Sequence, residues 1–125
     1  MNEEETKIAR AFVACGRWRW MPGMMSEGWR LTCVSLHDGA WSATSTLAHR
    51  EYHYPTLPDT NDPGTLGCIL RLVRDAGGMT HKLSILPMGC HLVVEWPDGR
   101  IDSFRGTFAG VLLHALQAAP EVTDG

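Results

Sequence analysis

Asp62-Pro63 opens and Gly77-Gly78 closes a stretch in which Leu66, Ile69, Leu70 and Val73 recur at helical spacing. This segment constrains the fold more than any other. An Asp at the cap satisfies an orphan amide of the first turn, a Pro in that turn gives up an N–H that has no partner there, and paired glycines end the period. Arg71 and Arg74 complement the carbonyl end. A helix at mid-chain divides the rest of the sequence into two strand-rich blocks.

In the upstream block the apolar period shortens to two. Trp29, Leu31 and Cys33 alternate with Arg30 and Thr32, Asp38-Gly39 supplies a turn, and Trp41, Ala43, Ser45 and Leu47 alternate with Ser42, Thr44 and Thr46. This predicts a two-stranded hairpin whose hydroxyl-bearing face is solvated. Residues 48–61, AHREYHYPTLPDTN, keep no period and read as the longest loop. Downstream, a strand over 81–86 meets a turn at Pro87-Met88-Gly89. Leu92, Val94 and Trp96 then face one way while His91, Val93 and Glu95 face the other, and Pro97-Asp98-Gly99 leads into a strand over 101–104. That is a three-stranded meander.

Helices are predicted at both ends. Asn2 and Glu5 have the spacing of a reciprocal cap, followed by Ile8, Phe12 and Cys15 in a helix over 3–15 that stops at Gly16. Phe108, Val111, Leu112, Ala115, Leu116 and Ala119 keep helical spacing up to Pro120. The order is αββαβββα. Short turns make the strands antiparallel, so the expectation is one α+β domain over 1–125 with about five strands and about three helices on one sheet face. Residues 1–2 and 121–125 are expected to fray.

With 125 residues and a 44% apolar share, one core is the natural outcome. Fourteen acidic against eleven basic residues give a net charge of −3, which disfavours long-range attraction for phosphate as the main driver of association. MNEEETK has the wrong charge for a secretory signal, and no apolar run has bilayer length, so a cytoplasmic protein without membrane contact is expected. Cys15, Cys33, Cys68 and Cys90 form no CxxC pair, which leaves reduced, partly buried thiols and no zinc knuckle.

The most unusual stretch is GRWRWMPGM, residues 16–24. Arg17, Trp18, Arg19 and Trp20 have the residue types that stack on bases and hold phosphate. Alternate positions point apart, however, so the simpler account packs Trp18 and Trp20 on the core and solvates Arg17 and Arg19. Trp, Met and Arg are also the types enriched at protein-protein anchors.

Other constellations fall short of chemistry. His49 and His53 in HREYH have helical spacing, but residue 50 is Arg50 where a metalloprotease needs an acid. Cys33, His37, Cys90 and His91 would make a Cys2His2 set only if separate strands met, and Cys90 and His91 point to opposite faces of one strand. Asp62 and Asp98 have sufficient structural roles as cap and turn residues. Neither a P-loop nor GxGxxG occurs.

RWMPGM at 19–24, LPDTNDPGTLGCILRLVRDA at 57–76 and LLHALQAAP at 112–120 together resemble a family of small bacteriophage- and prophage-encoded proteins of uncharacterised activity. The resemblance spans most of the chain and implies expression inside a bacterial host cell. It carries no catalytic residues. In it Pro22 and Gly23 make a tight turn, Asp62 and Pro63 begin a helix, and Gly67 and Cys68 are small enough to let that helix approach the sheet. The tyrosine-histidine loop and Cys90-His91 depart from the pattern.

Two functional classes follow. The first is a non-catalytic, phage-derived protein without cofactor or metal that docks on a host or phage protein, for example a defence complex, through Arg17, Trp18, Arg19, Trp20, Met21, Met24 and Met25. The second is a small nucleic-acid-binding protein using Arg17, Arg19, Arg30, Arg71 and Arg74. An enzyme comes third. An unpaired sheet edge would also let two copies form a symmetric dimer.

Overall fold

The structure is a computed structural model that describes residues 2–37, 40–45, 51–87 and 89–120, with backbone alone at 37, 45, 51–53 and 86. The expected turn at Asp38-Gly39, Met88, Leu47, His49 and the 121–125 tail lie outside the described residues. Helix α1 (Glu3–Ala14) starts with the reciprocal cap: Glu5 N donates to Asn2 Oδ1 at 2.8 Å and Asn2 N donates to Glu5 Oε2 at 3.2 Å. Asn2 is therefore part of the ordered helix start, not a frayed end. Helix α2 (Pro63–Asp75) is capped by Asp62, and α3 (Phe108–Ala118) by Thr107.

The α+β class and the alternation of helices with antiparallel strands are as the sequence predicts. The strands differ in number and grouping. Eight occur among the described residues: β1 (Met25–Ser26), β2 (Trp29–Arg30), β3 (Cys33–His37), β4 (Ala40–Ser45), β5 (Glu51–His53), β6 (Met79–Leu86), β7 (Gly89–Glu95) and β8 (Ile101–Gly106). They form three sheets, β1-β2, β3-β4-β5 and β6-β7-β8. The predicted first strand is split at Leu31–Thr32, because Trp29 and Arg30 pair backwards with Ser26 and Met25. Glu27 and Gly28, with φ of 51° and 81°, make the two-residue turn that permits this. The long loop is shorter than expected, since Glu51–His53 pairs with Ala43–Ser45 as an edge strand.

Helix α3 is the hub of the core. Val111, Leu112, Leu113, Ala115 and Leu116 are all buried, because α3 meets both other helices as well as β7 and β8. A helix covered on several sides buries more than one stripe, which is why Leu113 joins the core although a single-stripe pattern omits it. On β7 the alternation is complete: Cys90, Leu92 and Val94 are buried and their neighbours half-buried. Trp96 continues this face and donates from Nε1 to Asp102 Oδ2 at 2.8 Å.

Two glycines test how α2 is positioned. At Gly67, expected to allow close approach to the sheet, a Cβ would meet nothing within 4 Å, so that expectation is corrected. The close approach is at Gly78, where a Cβ would lie 2.9 Å from Val73 O and Val94 Cγ1 and 3.0 Å from a Trp96 ring carbon. Gly67→Ala is expected to stabilise the protein by about 0.5–1 kcal/mol through helix propensity, and Gly78→Ala to destabilise it by about 1–3 kcal/mol through overpacking. Urea unfolding midpoints of the two variants check both signs.

Candidate functional site

The tryptophan-methionine segment is interior. Trp20, Met21 and Met24 are 5%, 8% and 0% exposed, and Trp18 packs against the same cluster. Trp18 lies between Phe12 and Trp20, with ring centroids 5.7 and 5.3 Å away and the Trp20 ring nearly perpendicular. The docking surface expected from Trp18, Trp20, Met21 and Met24 is thus corrected in placement, since these side chains face the core and are not available as surface anchors. Met25 is half-buried, its N–H donating to Thr65 Oγ1 at 2.9 Å.

Backbone hydrogen bonds from Gly23 N to Leu31 O at 2.7 Å and from Leu31 N to Met24 O at 2.8 Å tie the segment to the chain beyond it, and an ion pair adds to them. Arg30 donates from Nη1 to Asp62 Oδ2 at 2.5 Å and from Nη2 to Asp62 Oδ1 at 2.8 Å, a two-pronged contact, and its Nη1 also donates to Gly23 O at 2.8 Å. The same carboxylate caps α2 by accepting from Thr65 N at 2.9 Å. The Arg30 guanidinium, with help from the Thr65 donors, holds the Asp62 carboxyl down at about 2. Gly64 leaves room for this, because a Cβ there would lie 2.6 Å from Arg30 Nη1. Cys68 Sγ points at Pro22 O, 3.5 Å away, and burial pushes its thiol pKa up, which disfavours the thiolate.

These contacts also reduce the proposed nucleic-acid set. Arg30 is engaged by Asp62 and Arg19 by Asp75, which leaves Arg17, Arg71 and Arg74. Cys33 and Cys90 lie in different sheets, Cys33 exposed and Cys90 buried. Among the described residues no group of three or more His, Cys, Asp or Glu side chains gathers as a metal site. No helix is long and apolar enough to cross a membrane.

The surface that the sequence did not single out is the outer face of β6-β7-β8. The register places Met79, Glu95 and Ile101 in one row across the sheet, Lys82, Val93 and Ser103 in the next, and Ser84, His91 and Arg105 in a third. Cys90, Leu92 and Val94 on the opposite face of β7 are in the core, so His91, Val93 and Glu95 point away from it. Met79 and Ile101, on either side of Glu95, are 60% and 59% exposed. Glu95 between them has Oε1 3.3 Å from His81 Nε2. His91 Nε2 shares a 2.8 Å hydrogen bond with Ser103 Oγ, and desolvation together with the nearby Arg105 and Lys82 charges holds its pKa below the usual histidine value. A strand's alternation showed which residues of β7 face outward; which of them gather with Lys82 and Arg105 depends on register, including the irregularity between Thr80 and Lys82.

Comparison with known proteins assigns no family. No family model, curated protein or solved structure matches the chain.

The Asp62 pKa has a consequence for stability. A carboxyl whose folded pKa of about 2 lies below its ordinary 3.8 binds protons more weakly folded than unfolded, so its stabilisation is complete above the ordinary value and is lost as pH falls towards 2. Asp62→Asn is expected to lower stability at neutral pH by on the order of 2 kcal/mol and to flatten the decline between about pH 4 and pH 2. Denaturant titrations of both proteins across that range measure it.

Proposed function

We propose that the chain is a non-catalytic, phage-derived cytoplasmic protein that acts by docking on a host or phage protein, and that it docks through the outer face of β6-β7-β8. The observation that carries this is the Met79–Glu95–Ile101 row: two large apolar side chains, each more than half exposed, on the sheet face opposite the buried Leu92 and Val94. Exposed apolar side chains gain most when a partner removes them from water, each worth roughly 1.5–3 kcal/mol if fully buried. Val93 lies beside them in the next row, so three apolar side chains surround Glu95, with charged and hydroxyl side chains beyond. Interfaces have that anatomy.

Support for a phage setting is the resemblance of RWMPGM, LPDTNDPGTLGCILRLVRDA and LLHALQAAP to phage and prophage proteins. The resemblance falls mainly on residues that build the core and the α2 cap, so it supports a shared architecture. The docking row lies outside those three segments.

Met79→Asp and Ile101→Asp change exposed positions and are expected to leave the melting temperature within a few degrees. Affinity capture from phage-infected bacteria, quantified by mass spectrometry, should show a defined protein that co-purifies with the wild type and falls by about ten-fold or more with either variant. Equal recovery with all three baits would place the interface elsewhere.

A further inference from the structure

We propose that the cavity at the Gly89–Gly106 end of the same sheet face binds the phosphate group of a small phosphorylated ligand of mononucleotide size. The cavity has a volume of about 380 Å³ and is lined by Lys82, Ser84, His91 and Arg105, with Gly89 and Gly106 at its end. That volume lies within the usual range for small-ligand sites. The basic side chains come from three adjacent strands: the register sets Ser84 opposite His91 and His91 opposite Arg105, with Lys82 one row away on β6.

Charge is the first argument. The chain is acidic, with fourteen carboxylate residues against eleven basic ones, yet neither Lys82 nor Arg105 pairs with a carboxylate among the described residues. Glu95, which shares this face, lies two rows from His91 and 3.3 Å from His81. The like charges are close enough to be felt at His91, whose protonation Lys82 and Arg105 both oppose. Cations gathered without counter-charge raise the local potential for an anion, and a phosphate dianion relieves it more than a carboxylate does. A guanidinium offers a planar fork for two phosphate oxygens, a lysine a point charge and a serine a further donor.

Shape is the second. Gly89 and Gly106 have φ of 148° and 150°, where side chains are rarely tolerated, and a Cβ on Gly89 would come within 3.0 Å of Gly106 O. Side chains are thereby kept out of this end of the cavity. A neighbouring cavity of about 350 Å³ shares Arg105 and Gly106 and adds Lys7, Thr107 and His114, with Glu4 at its side. It provides space for the organic part of a ligand whose phosphate lies over His91. The Met79 and Ile101 side chains line neither cavity, so the site stands independently of the docking row.

The test is titration of the purified protein with inorganic phosphate, adenosine monophosphate and short single-stranded DNA, read by calorimetry and by the His91 ring resonances. The groups facing His91 are Lys82 and Ser84 from β6, Ser103 and Arg105 from β8, and Val93 and Glu95 on its own strand. A bound dianion offsets the Lys82 and Arg105 charges, so the His91 pKa should rise on saturation with phosphate or the mononucleotide, and the mononucleotide should bind roughly ten-fold tighter than phosphate. Lys82→Met and Arg105→Met, both at exposed positions, should keep the melting temperature and each weaken binding several-fold. Met79→Asp should bind as the wild type does. The proposal is overturned if millimolar phosphate and mononucleotide leave His91 unmoved, if the two Met variants bind unchanged, or if only DNA binds with a steep salt dependence.

Discussion

The Asp62 carboxylate does three things at once, and the rest of the molecule is arranged around it. It caps α2, it takes both prongs of the Arg30 guanidinium, and through Arg30 it reaches the Gly23 carbonyl of the Pro22-Gly23 turn. Thr65, one turn into α2, accepts from Met25 N and completes the link. The N-terminus of a helix is thereby tied to a segment more than thirty residues away in sequence, and the link fixes the depth at which Trp20, Met21 and Met24 enter the core. Helix dipole, ion pair and hydrogen bonds all favour the ionised carboxylate, so they reinforce one another.

This arrangement explains why the residue types that look like a binding surface do not form one. Trp18 and Trp20 pack edge to face beside Phe12, and Met24 is fully enclosed. Methionine fills irregular space where a turn enters a core, and tryptophan supplies large buried area in a small domain. The Glu27-Gly28 turn folds Trp29-Arg30 back on Met25-Ser26, which brings Arg30 to Asp62. The Pro22-Gly23 turn, the β1-β2 pair and the start of α2 therefore meet in one structural assembly.

How much of this was legible follows from what kind of signal each part leaves. Helix α2 was readable because its cap, first-turn proline and terminal glycines are local chemistry. The outward set on β7 was readable because strand alternation is local too. The split of the first predicted strand was not, since an ordinary alternation through Trp29, Leu31 and Cys33 conceals a change of partner, and Glu-Gly is a weaker turn signal than Asn-Gly. The strand at Glu51–His53 was missed because its pairing with β4 is a tertiary contact inside a stretch with no period of its own. The cluster of Lys82, His91 and Arg105 spans three strands and depends on register, which no single segment encodes. Gly67 misled because small residues suggest close packing, whereas its helix face is open.

The molecule has a segment locked inward and a sheet face left outward, and methionine oxidation reports on both in one experiment. Limited peroxide treatment of the folded protein, followed by peptide mass spectrometry, should oxidise Met79 at a rate close to that of a free peptide. Met21 and Met24 should react only as fast as the protein unfolds globally. Oxidation of Met21 and Met24 at the rate of Met79 under native conditions would contradict the account, because the tryptophan-methionine segment would then be surface.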